Sequence, residues 1–149
     1  MAPRFPGAAA VALCAALTAP VWLPASAASA APAHPGHHPP QTCTTPDGGA
    51  QGSFRAEFTT ARRVELDIHA KDLKADRRTA QVRLVTVSPD GSRHYYRWHA
   101  VPNGKHGVWK TFALNRKGIV SAHLQTQNVG RDGLVWGTCV TKKALNPHW

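Results

Sequence analysis

The chain has 149 residues, 42% of them hydrophobic and 17% charged, with a formal net charge of +10 when histidines are neutral. That balance excludes a disordered polyelectrolyte, a long coiled coil and a multi-domain enzyme, and leaves room for one small globular domain. Such basicity draws a protein towards nucleic acid, anionic wall polymers or membrane headgroups, although it also simply keeps a protein in solution.

Arg4 is the sole charge before Asp47. Gly7 to Leu23 is almost wholly apolar, and Pro24 precedes the small-residue run Ala25-Ser26-Ala27-Ala28-Ser29-Ala30. A short basic end, a short apolar run and an A-x-A site read as a secretory signal peptide over residues 1–30, cut after Ala27 or Ala30. Pro20 and Pro24 interrupt the run, which is short for a bilayer span. No later run is long enough to span, so the sequence predicts a secreted, monomeric chain without a membrane segment after cleavage.

Residues 31–42 carry His34, His37 and His38 among prolines, and read as a flexible tail. Imidazoles at that spacing bind copper or zinc loosely, and nothing nearby fixes their geometry, so no metal or other cofactor is assigned. Removal of the leader takes away Cys14 and leaves Cys43 and Cys139. In an oxidising compartment that even pair predicts a disulfide between the start of the domain and its last strand. In the chain-entropy model a loop of that length contributes about 4–5 kcal/mol.

From Cys43 to Lys143 the pattern is period two. Phe54, Ala56 and Phe58 alternate with Arg55 and Glu57; Val64, Leu66, Ile68 and Ala70 alternate with Glu65, Asp67 and His69. Asp72–Thr79 is a loop or a single helical turn. Val82 and Leu84 lead to Pro89-Asp90-Gly91, then Tyr96, Trp98 and Ala100; Pro102-Asn103-Gly104 leads to Val108, Phe112 and Leu114. Val120, Ala122 and Leu124 follow, and after Gly130-Arg131-Asp132-Gly133 come Leu134, Trp136, Thr138 and Val140. This is the spacing of an all-β antiparallel sandwich of about seven strands. Residues 144–149 read as a loose C-terminal tail.

The central hairpin specifies a register. Pro89-Asp90-Gly91 suits a three-residue turn with Gly91 at positive φ. Ser88 then pairs with Ser92, Leu84 with Tyr96 and Val82 with Trp98. One face carries Val82, Leu84, Tyr96 and Trp98, which suits a core. The other carries Arg83, Val85, Val87, Arg93, Tyr95, Arg97 and His99, with Arg83 opposite Arg97, an unfavourable pairing unless an anion or solvent intervenes.

That second face is the candidate binding surface: Arg83, Arg93, Tyr95, Arg97 and His99, joined by Trp109. Arginines meet anions and exposed aromatics stack on sugars or bases. Trp98 and Trp136 fall on apolar faces and read as core, whereas strand 107–114 is ambiguous because Lys110 shares a face with Val108 and Phe112. No catalytic constellation is present. Gly-x-Ser-x-Gly is absent, the mature cysteines are paired, and the two glutamates, Glu57 and Glu65, show no cleft between them. Basic secreted ribonucleases use histidine pairs, and His94, His99, His106 and His123 could supply one, but their spacing selects no two.

The Ala-rich leader, the long-range cysteine pair and the run Val82-Arg83-Leu84 … Asp90-Gly91 … His94-Tyr95-Tyr96-Arg97-Trp98-His99 resemble small secreted β-sandwich proteins of high-GC Gram-positive bacteria. The resemblance covers the middle half of the chain and implies no activity. In architecture alone the chain is also similar to small carbohydrate-binding sandwiches whose termini are joined by a disulfide. The leading expectation is a non-enzymatic binding module for an anionic polymer or cell-surface glycan. A ribonuclease-like hydrolase and a protein-binding or structural protein stand as alternatives.

Overall fold

A computed structural model describes residues 36–149. The expected leader and His34 lie outside those residues. Ten strands and no helix are present among them: β1 (His37–Thr44), β2 (Ala50–Thr60), β3 (Arg63–Asp72), β4 (Thr79–Val87), β5 (Arg93–Tyr95), β6 (His99–Pro102), β7 (His106–Leu114), β8 (Ser121–Val129), β9 (Val135–Val140) and β10 (Ala144–Leu145). Every pairing is antiparallel. One sheet runs β1-β2-β3-β7. The second has β8 and β4 at its centre; β8 pairs β10 and β9 along its outer edge, and β4 pairs β5 and β6 along the other.

The two sheets close over one core because strict alternation presents a single apolar set from each. Phe54, Ala56 and Phe58 of β2 and Val64, Leu66, Ile68 and Ala70 of β3 meet Val82 and Leu84 of β4 and Ala122 and Leu124 of β8. All are buried, and burying a large aliphatic or aromatic side chain stabilises a fold by about 1.5–3 kcal/mol. Cys43 on β1 and Cys139 on β9 form the expected disulfide, with Cα atoms 6.0 Å apart and a sequence separation of 96. It staples an edge of one sheet to an edge of the other.

Three expectations are corrected. The segment 31–42 is not a flexible tail throughout, because β1 begins at His37 and pairs with β2 from His37↔Glu57 to Thr44↔Gln51. Pro39 and Pro40 fall where the register shifts, on an edge strand, which is where a sheet tolerates residues without N–H donors. Residues 144–149 are not loose either. Leu145 pairs with Ser121, Asn146 Nδ2 donates to the Ile119 and Thr60 carbonyls at 2.7 and 3.1 Å, and Trp149 Nε1 donates to Ala61 O at 3.0 Å. Gly118 has φ +98°, and a Cβ there would stand 2.2 Å from the Trp149 ring, so the glycine makes room for the indole.

The third correction is to the register. The Pro89-Asp90-Gly91 turn forms as expected: Gly91 has φ +79°, Ser88 N donates to Ser92 O at 2.9 Å, and Tyr96 N donates to Leu84 O at 3.0 Å. Beyond that point Val82 pairs with His99, not Trp98. One residue too many lies between Tyr96 and His99, so Arg83 alone faces both Arg97 and Trp98. This is a β-bulge, and it interrupts the expected single strand into β5 and β6. The extra residue turns Trp98 away from the core and His99 towards it.

Candidate ligand-binding face

The outer surface of the second sheet is built by the odd-numbered positions of β4 and β8. Gln81 and Gln127 are register partners, and so are Arg83 and Gln125 and, next along, Val85 and His123. Gln127 Nε2 donates to Gln81 Oε1 at 2.9 Å, and Arg83 Nε donates to Gln125 Oε1 at 2.8 Å. The Arg83 guanidinium lies over the Tyr95 ring at 4.6 Å and over the Trp98 ring at 4.4 Å. Cation–π contacts of this kind contribute about 0.5–1 kcal/mol each at exposed sites. They also hold a long, entropy-rich side chain in one place. Arg83 has no carboxylate partner among the described residues. Tyr95 is 49% exposed, and Trp98 is half-buried.

Arg93 joins this surface through its pairing with Val87. His123 lies buried beneath it with Nδ1 lacking a hydrogen bond. Burial pushes its imidazolium pKa down, and Lys143 and Arg93 push it further in the same direction. None of the strands of this sheet contains Asp or Glu, whereas β2 and β3 of the other sheet carry Glu57, Glu65, Asp67 and Asp72.

The six side chains expected to act together therefore divide. Arg83, Arg93 and Tyr95 share the outer face. Arg97, His99 and Trp109 do not; Arg97 and His99 line a cleft of about 140 Å³ between the sheets with Leu66, Ile68, Leu84 and Tyr96, and Trp109 lies beside His99. The His99 ring lies 4.9 Å from the Trp109 ring, and Trp109 packs against the core. Burial lowers the His99 pKa and the Arg97 charge adds to it. The bulge takes Arg97 and His99 off the outer face, whereas Trp109 belongs to β7 of the first sheet, opposite Ile68, and faces inward there. The bulge also brings Trp98, read as core from alternation alone, to the binding face.

Two further aromatics prove exposed: Trp136, read as core from alternation, and Phe112, on the strand whose facing alternation leaves open. Trp136 is 54% exposed, with the Arg78 guanidinium 3.9 Å over its ring. Phe112 is 50% exposed under Arg63 at 4.2 Å, which resolves strand 107–114: Val108, Lys110 and Phe112 face out, Trp109 and Ala113 face in. Across the outer face of the first sheet, Arg55, Glu57, Glu65, Asp67, Lys110 and Phe112 border a groove of about 430 Å³. Its charges are of both signs and arranged in register, with Asp67 between Arg55 and Lys110.

The four histidines from which a hydrolase would draw a pair are separated. His94 packs edge-on against Tyr96, His99 sits by Trp109, His123 lies under Arg93 and Lys143, and His106 contacts His69 on the other sheet. No protein-family model matches this chain, and no curated protein matches it.

Proposed function

We propose that the protein is an exported, non-enzymatic binding module that takes an anionic polysaccharide across the outer face of its second sheet. The observation that carries this reading is Arg83 held over Tyr95 and Trp98 on a sheet whose strands have no carboxylate. Sugar rings stack on the two aromatics, acidic substituents pair with Arg83 and Arg93, and the amides of Gln81, Gln125 and Gln127 meet hydroxyls. Export is supported by the leader read in the sequence and by the Cys43–Cys139 bridge, since disulfides persist outside the reducing cytosol. The scatter of His94, His99, His106 and His123 speaks against the hydrolase reading, which needs two of them in reach of one proton.

The test is affinity electrophoresis and calorimetry with polygalacturonate, using a neutral glucan for comparison. Binding to the polyuronate should weaken at least about tenfold between roughly 50 and 200 mM salt. Arg83→Ala should weaken it a further tenfold or so and flatten the salt slope by about one. Equal, salt-independent affinity for the neutral glucan would assign the face to stacking alone and sink the anionic reading. Binding to neither polymer would sink both.

A further inference from the structure

The outer face of the first sheet, away from the proposed polymer site, carries a row of three metal-competent side chains. Asp67 and His69 stand two apart on β3 and so share that face; His106 on β7 pairs with Lys71, the next outward position. Asp67 Oδ1 lies 3.2 Å from His69 Nε2, and His69 Nδ1 lies 3.3 Å from His106 Nε2. We propose that His69 Nδ1 and His106 Nε2 are the protein ligands of a tetrahedral divalent ion of the zinc class, with Asp67 as the carboxylate behind His69.

Three features support this. First, the two ring nitrogens approach to 3.3 Å, at the long end of a hydrogen bond. That is the separation expected of two nitrogens each about 2.0–2.1 Å from one tetrahedral ion, roughly 3.3 Å. Second, Asp67 Oδ1 lies 3.2 Å from His69 Nε2 and is a buried oxygen with no hydrogen bond; its negative charge favours the proton on Nε2, which leaves Nδ1 with a free lone pair. A carboxylate behind a ligating imidazole is the usual arrangement at metal sites, where it orients the ring and raises its basicity. Third, solvent reaches the pair: the His69 and Asp67 side chains are 40% and 33% exposed and His106 is exposed.

No group of three or more His, Cys, Asp or Glu among the described residues is placed to hold an ion, so the remaining coordination positions fall to solvent or to an added ligand. The flanking charges shape which ligand. Arg55 and Lys110 are in register with Asp67, and Lys71 is in register with His106. They weaken the hold on a bare cation and favour one that brings an anion, a phosphate or carboxylate, with it.

Titrate the oxidised protein with Zn²⁺ and follow the imidazole nitrogens by NMR; then substitute Co²⁺ and record its visible absorption, which is intense only in tetrahedral geometry. One equivalent of Zn²⁺ should shift His69 Nδ1 and His106 Nε2. His69→Ala and His106→Ala should each abolish the tetrahedral cobalt band, and Asp67→Asn should weaken zinc affinity by about tenfold. His34→Ala with His37→Ala should leave all three readouts unchanged. The positions are exposed, and circular dichroism of each variant confirms its fold. Zinc shifts confined to His34 and His37, or a cobalt band that survives the loss of His69 or His106, would overturn the assignment.

Discussion

The two long edges of the sandwich are closed by different means. At the β1/β9 edge, Cys43 is in register with Gly52 and Cys139 with Thr126. A Cβ on Gly52 would come within 2.0 Å of Thr126 Oγ1, so β2 contributes only a hydrogen there and the Thr126, Leu124 and Val82 side chains fill the space, under a covalent bridge. At the β6/β7 edge nothing covalent spans the sheets. Half-buried Tyr96 and Trp109 fill the space in part, and a gap of about 140 Å³ remains beside His99 and Arg97. The lesson is that a small sandwich can leave one side imperfectly packed if the other is fixed. The stapled side carries stability, and the unstapled side keeps room for charged and titratable groups.

The contrast can be broken most forcefully from the stapled side. Reducing the disulfide, or replacing both cysteines by alanine, should lower unfolding free energy by about 4–5 kcal/mol in guanidinium titrations. Trp109→Ala, on the other edge, should cost about 2 kcal/mol, below the range for fully buried tryptophan because the ring is only half covered. If the second loss exceeded the first, the open edge and not the bridge would hold the sheets together. The smallest effect is a pH dependence. His99 and His123 both have lowered pKa values, chiefly through burial. Above the ordinary imidazole value of about 6.5 both are neutral in either state and contribute nothing. As pH falls below it, the unfolded chain takes up protons that the folded chain resists, so stability drops and then levels once the folded groups also titrate. Thermal melts between about pH 7.5 and 4.5 should show this drop, and His99→Gln should remove part of it. A melting temperature that rises on acidification, with the rise unaltered by His99→Gln, would contradict the burial of these rings.

Much of the fold is legible in the sequence because burial on one face forces period two. β2, β3, β4 and β8 follow it, with the core at their even-numbered positions; the departures are Val85, Ser121 and His123, buried although odd-numbered, and exposed Thr60 at the end of β2. The strand β1 is hidden by its composition: an edge strand needs few apolar residues and admits Pro39 and Pro40, which in isolation read as a tail. The C-terminal segment is hidden for another reason. Its anchors are the Asn146 amide and the Trp149 indole, which reach carbonyls at Thr60, Ile119 and Ala61 that no local pattern can point to. The candidate site was half legible. Arg83, Arg93 and Tyr95 follow from the turn, which fixes the register close to itself. Arg97, His99 and Trp98 lie beyond the extra residue, and alternation counted through a bulge assigns each to the wrong side. The like-charge clash of Arg83 with Arg97 in the unbulged register is the one signal in the sequence that could have exposed the error.

That extra residue bears on how the proposed ligand face would change. Loss of a single codon between Tyr96 and His99 would restore simple alternation, send a different side chain outward beside Arg83, and leave the Val82 and Leu84 ladder on β4 untouched. The side chains displayed on this surface are therefore open to insertion and deletion as well as substitution, a route to a changed face that bypasses the core altogether.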